Sequence, residues 1–133
     1  MYYPDLSQYN YIEDEDNTLN IGWLDVNHPF LKGALSDTFT ERLILFRQYI
    51  VRDENLGPHK CHFCGKYRSS GELRVFGRNN TIYAAPTMII HYVVEHNYFP
   101  PQEFIDAVLH GPHPPSQEYT LRAKQYVWAQ EED

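Results

Sequence analysis

The residues able to do chemistry in this chain fall into two short strings, Cys61-His62-Phe63-Cys64 and His91-Tyr92-Val93-Val94-Glu95-His96. Cys61 and Cys64 are the only two cysteines. A C-x2-C knuckle followed by an H-x4-H pair offers two thiolates and two imidazoles, a donor set suited to the borderline softness of Zn2+. The spacing therefore predicts one structural Zn2+ held by Cys61, Cys64, His91 and His96. Four protein ligands fill a tetrahedron and leave no position for substrate or reactive water, so the ion is expected to be structural rather than catalytic. His59 and His62 flank the knuckle; each is an alternative ligand or a hydrogen-bond partner to one, but both sit outside the usual ligand register.

Those ligands must be positioned. The sequence predicts that Cys61 and Cys64 sit on a tight turn, with Gly65 relieving the backbone behind the second thiolate. Glu72–Phe76 and Thr81–Ala84 alternate in polarity around Gly77-Arg78-Asn79-Asn80, which reads as a hairpin. Pro86 suits the first turn of a helix. Met88, Ile89, Tyr92 and Val93 give that helix an apolar face, and Asn97 can end it. On an ideal helix, five residues turn through about 500°, which leaves the His91 and His96 imidazoles about 140° apart. Both reach one ion only if the helix changes its winding near His96.

Outside this module, Leu19–Leu24 alternates like a short strand that His28-Pro29 terminates. Ser36-Asp37-Thr38 is a helix start, with Thr38 and Glu41 as a capping box. Phe39, Leu43, Phe46 and Ile50 follow at helical spacing, predicting an amphipathic helix over 38–51. Phe99-Pro100-Pro101 opens another helix whose buried stripe is Phe104, Ile105, Val108 and Leu109. Gly111–Pro115 is a stiff linker, and 116–129 reads as a terminal helix. The expected architecture is α+β: a small antiparallel sheet, three or four helices, and a knuckle–hairpin–helix metal module. The expected core is Trp23, Phe30, Phe39, Leu43, Phe46, Val75, Ile89, Tyr92, Phe104 and Val108. A length of 133 residues fits a single domain, divided as 1–57 (aromatic and acidic segment plus amphipathic helix), 58–98 (metal module) and 99–133 (C-terminal helices).

Composition narrows the partners. Eighteen Asp and Glu against eleven Lys and Arg give a net charge of -7, which repels phosphate backbones and favours basic partners. No apolar run approaches the ~18 residues of a membrane span. The first residues lack the basic and apolar regions of a signal peptide, which predicts a cytoplasmic protein.

The stretch from Cys61 to His96 resembles a Cys2His2 ββα finger with a longer interval between its ligand pairs. The resemblance implies a base-reading helix face at Ala85, Pro86, Thr87 and Met88, which carries no Arg or Lys. A second resemblance covers most of residues 1–109. It rests on Leu6-Ser7-x-Tyr9-x-Tyr11, Leu19-Asn20-Ile21-Gly22-Trp23-Leu24-Asp25, His28-Pro29-Phe30, Cys61-x-Phe63-Cys64, Tyr83-Ala84-Ala85-Pro86, His91-Tyr92-Val93 and Pro100-Pro101-x-x-Phe104. This string is similar to a family of small uncharacterised bacterial proteins, which implies the metal module and no particular activity.

Three function classes compete. The leading one is a non-enzymatic protein-binding protein, with an immunity protein that neutralises a basic bacterial toxin as its concrete form. Its candidate contact patch is Tyr9, Tyr11, Glu13, Asp14, Glu15 and Asp16, where tyrosines supply contact area and acids supply steering. The second is a nucleic-acid-binding regulator using Lys60, Lys66, Arg68, Arg74 and Arg78 around the knuckle and hairpin. The third is a zinc hydrolase or deaminase, with Glu95 beside His96 as general acid, or an Asp25–His28 acid–base pair. The ligand order is the reverse of the deaminase signature, so no catalytic residues are expected.

Overall fold

The computed structural model describes residues 2–10, 17–51 and 59–126. Its centre is a three-stranded sheet of β1 (Thr18–Asn20), β4 (Glu72–Phe76) and β5 (Ile82–Pro86), in the order β1-β5-β4. The β4–β5 hairpin is antiparallel, with Glu72 opposite Pro86 and Phe76 opposite Ile82. β1 joins the other side of β5 in parallel, Thr18 opposite Ile82 and Asn20 opposite Ala84. Every residue of β5 is buried, as its nearly unbroken apolar run requires of a strand covered on both faces. A separate two-stranded ribbon, β2 (His59–Lys60) and β3 (Arg68–Ser69), carries the knuckle.

Among the described residues, four helices surround the sheet: α1 (Asp37–Leu45), α2 (Ile89–His96), α3 (Gln102–His110) and α4 (Gln117–Ala123). Ser36 caps α1 by accepting the Phe39 N–H at 3.1 Å, so the cap lies two residues before the expected Thr38. The α1 stripe is as expected, with Phe39, Leu43 and Phe46 buried and Phe39 edge-on to Phe104 of α3. The helix is shorter than 38–51. It tightens into a 3-10 turn at Phe46–Gln48, and Val51 then leaves to exchange two 2.8 Å backbone bonds with Glu72. This bridge satisfies the outer edge of β4, and β-branched Val51 suits the extended backbone that it needs.

The same bridge explains Pro86. The sequence places this proline in a helical first turn, whereas it is the last residue of β5 and α2 begins at Ile89. The Glu72 N–H and C=O both point at Val51, so the Glu72–Pro86 pair is a non-hydrogen-bonded one and position 86 needs no donor.

α4 is capped by Ser116, which accepts the Tyr119 N–H at 3.2 Å, and it ends at Ala123. Residues 127–129 of the expected terminal helix lie outside the described residues. Nine of the ten expected core residues are buried, while Phe30 is half-buried against the cluster edge. The core also holds a charged pair, Glu72 and Arg74, 2.7 Å apart on one face of β4. Tyr9 caps that pair: its hydroxyl donates to Glu72 Oε1 at 2.8 Å, and the Arg74 guanidinium lies 4.8 Å from its ring centre.

Candidate metal centre

The knuckle is built by backbone bonds around the first thiolate. The Cys61 N–H donates to Tyr67 O at 2.9 Å, and the Gly65 N–H donates to Cys61 O at 2.7 Å. Gly65 has φ +69, the left-handed conformation that the turn demands. A Cβ there would meet only Lys60 Cε at 3.7 Å, so backbone conformation and not space requires glycine.

The second ligand pair comes from α2, and its last turn resolves the angular problem. Asn97 caps α2 in the left-handed region at φ 59, and its N–H reaches back five residues to Tyr92 O. The Tyr98 N–H reaches the same carbonyl at 3.1 Å, as in a Schellman-type ending. A turn closed over five residues is wider than an α turn and brings side chains five apart towards one face. The His91 and His96 ring centres are accordingly 5.0 Å apart.

The four donors converge. One ligand atom from each of Cys61, Cys64, His91 and His96 lies within 4.8 Å of the others. Cys61 Sγ is 3.4 Å from His96 Nε2, and Cys64 Sγ is 3.4 Å from His91 Nε2. A tetrahedral ion with Zn–S of about 2.3 Å and Zn–N of about 2.0–2.1 Å sets its S···N separations near 3.5 Å. The donor set and its spacing therefore fit a tetrahedral metal ion. Among the described residues this is the one such grouping; His59, His62 and Glu95 are not part of it. His59 instead stands edge-on to Trp23, with centres 5.6 Å apart.

Aromatic rings fix the imidazoles. Tyr67 stacks on His91 with centres 4.4 Å apart and planes within 5°. Phe63 lies 5.3 Å from His96 and edge-on to Tyr92. Phe63 sits inside the C-x-F-C string and Tyr67 three residues beyond it, so an aromatic flank to the knuckle was visible in the sequence, but its role towards the histidines was not.

The electrostatics differ from ligand to ligand. Burial pushes the Cys61 thiol above its ordinary value, because a bare thiolate is poorly solvated there. The Lys66 backbone N–H is the main cause lowering the Cys64 thiol. Burial, then His96, depress His91 and keep it neutral, the form in which imidazole ligates.

The other site expectations fare differently. Tyr9 belongs to the interior, 2% exposed and bonded to Glu72, so it offers no face to a partner; its partner lies more than sixty residues away in sequence, which is why the segment alone suggested a surface tyrosine. Tyr11, Glu13, Asp14, Glu15 and Asp16 lie outside the described residues. The basic cluster is dispersed. Arg74 is fully buried in its ion pair, and Arg78 is at the hairpin tip, leaving Lys60, Lys66 and Arg68 exposed on the ribbon. Ala85, Pro86, Thr87 and Met88, the expected base-reading positions, are all buried. Asp25 and His28 do pair, at 2.7 Å, in an exposed turn where His28 stacks on Tyr2.

The fold and site define an α+β domain built around a Cys2His2 cluster able to hold a metal ion. The chain belongs to the family described as domain of unknown function DUF7919, which matches residues 1–109. No curated protein and no solved structure matches it. No helix among the described residues is long and apolar enough to cross a membrane.

Proposed function

We propose that this is a non-enzymatic, zinc-stabilised protein-binding domain whose partner is basic. The donor chemistry favours Zn2+, and a ligand set of four leaves it no open coordination position. The observation that carries the binding reading is a groove of about 380 Å3 between α1, α2 and the 33–35 segment. Ala34, Leu35, Val93 and Val94 give it an apolar floor, and Asp37 and Glu41 line its acidic wall. Val94 is 51% exposed, and Leu31, in the irregular segment that leads to α1, is 75% exposed. An apolar floor with acids at its edge suits an apolar anchor residue flanked by Lys or Arg. The net charge of -7 would steer such a partner, and the acidic run at 13–16 adds to that field. Neutralisation of a basic bacterial toxin is the concrete form of this reading.

The test is affinity capture from the native host with the wild-type chain and with Asp37→Lys plus Glu41→Lys. A basic protein retained by the first and lost by the second supports the reading. A partner held equally by both, or an acidic one, contradicts it.

A further inference from the structure

At the hairpin end remote from the knuckle, the structure holds a cavity of about 560 Å3, within the range of small-molecule sites. Three elements build it: the β4–β5 tip, the outer face of α3 and the end of α4. Arg78 and Arg122 supply guanidinium groups, and Glu103 and Asp106 supply carboxylates. The carboxylates are held in place rather than neutralised by cations. Tyr83 donates to Glu103 Oε2 at 2.6 Å, and Gln102 donates to Asp106 Oδ1 at 2.9 Å. Arg122 lies over the Phe76 ring at 5.1 Å, which holds its side chain against the cavity wall. Among the described residues, neither arginine forms an ion pair, although two carboxylates line the same cavity.

We propose that this cavity binds a small zwitterion, an amino acid or short peptide. Its ammonium faces Glu103 and Asp106, and its carboxylate faces Arg78 and Arg122. A cavity that holds both signs of charge apart is matched by a ligand that carries both at a fixed separation, and guanidinium recognises a carboxylate through paired N–H donors. A simple anion or a simple amine would satisfy only half of the wall. The cavity is distinct from the acidic groove and from the metal centre, so its ligand is independent of the protein partner proposed above.

The test is isothermal titration of the zinc-loaded full chain with free L-amino acids and glycylglycine, alongside acetate and ethylammonium at matched ionic strength. Saturable binding of at least one zwitterion is expected, at least tenfold tighter than acetate or ethylammonium. It should weaken at least tenfold in Arg78→Gln and separately in Asp106→Asn, both surface changes. Each variant is checked by circular dichroism for an unchanged fold, and Arg122→Gln serves as the replacement should either misfold. Absence of saturable binding by every zwitterion in the panel overturns the proposal. So does equal binding of acetate or ethylammonium, or zwitterion binding that survives the charge removals.

Discussion

The two ends of the β4–β5 hairpin treat charge in opposite ways. At the knuckle end, two thiols and two imidazoles crowd within 4.8 Å, and Cys61 is fully buried. These four donors could hold a metal ion, and an ion bound by all four would have no coordination position left for a ligand. At the tip end, cations and carboxylates line one open cavity without pairing. Between them, Glu72 and Arg74 form a buried pair that is complete except for Glu72 Oε2, which has no partner. The contrast separates architecture from recognition: the groups that neutralise one another hold the fold, and those left apart are available to something else.

The most severe way to break this contrast is to empty the knuckle. Cys61→Ser, or chelation of the metal, should unfold the module, since structural Zn2+ supplies about 10–16 kcal/mol of apparent folding free energy in finger peptides. Thermal melts followed by circular dichroism, with and without chelator, measure it, and an unchanged midpoint would remove the structural role. Next comes the buried pair. Arg74→Met strands the Glu72 carboxylate in the core and should cost about 3–5 kcal/mol in urea unfolding. Glu72→Gln in the same background should recover part of that loss.

Backbone substitutions sharpen the picture at smaller scale. Gly65→Ala should cost only about 1–2 kcal/mol, the penalty of a left-handed L-residue, because its surroundings are open. Gly71→Ala should cost more, since φ is +90 there and the new Cβ would lie 2.4 Å from Ile50 Cγ2. Parallel urea titrations rank the two. Smallest of all should be Arg78→Gln at the exposed tip, within about 0.5 kcal/mol of wild type, although the same change should weaken zwitterion binding at least tenfold.

The sequence disclosed these regions unequally. The convergence of Cys61, Cys64, His91 and His96 was legible because two cysteines and two histidines at fixed spacing carry a coordination rule with them. The β4–β5 hairpin was legible from its alternation and its tip, and the α1 stripe from its period. What escaped depended on distant partners. β2 and β3 are two residues each, too short to leave a pattern. The parallel pairing of β1 with β5 joins segments more than sixty residues apart. Val51 left its helix for a bridge to Glu72, and that bridge made Pro86 acceptable in a strand. The widened turn that brings His96 beside His91 was required by the ligand geometry before it was seen, and Asn97 was its one local sign. The charged cavity left no trace in the sequence, because Arg78 grouped there with the basic residues of the knuckle and hairpin, and Glu103 and Asp106 stand on one helix and Arg122 on another, with no spacing that joins them.

Metal stoichiometry tests most directly whether the four side chains close around one ion. Protein purified without affinity metals should carry one zinc per chain by elemental analysis, and Cys64→Ser should carry far less. Wild-type protein that is folded and free of stoichiometric metal would contradict the account.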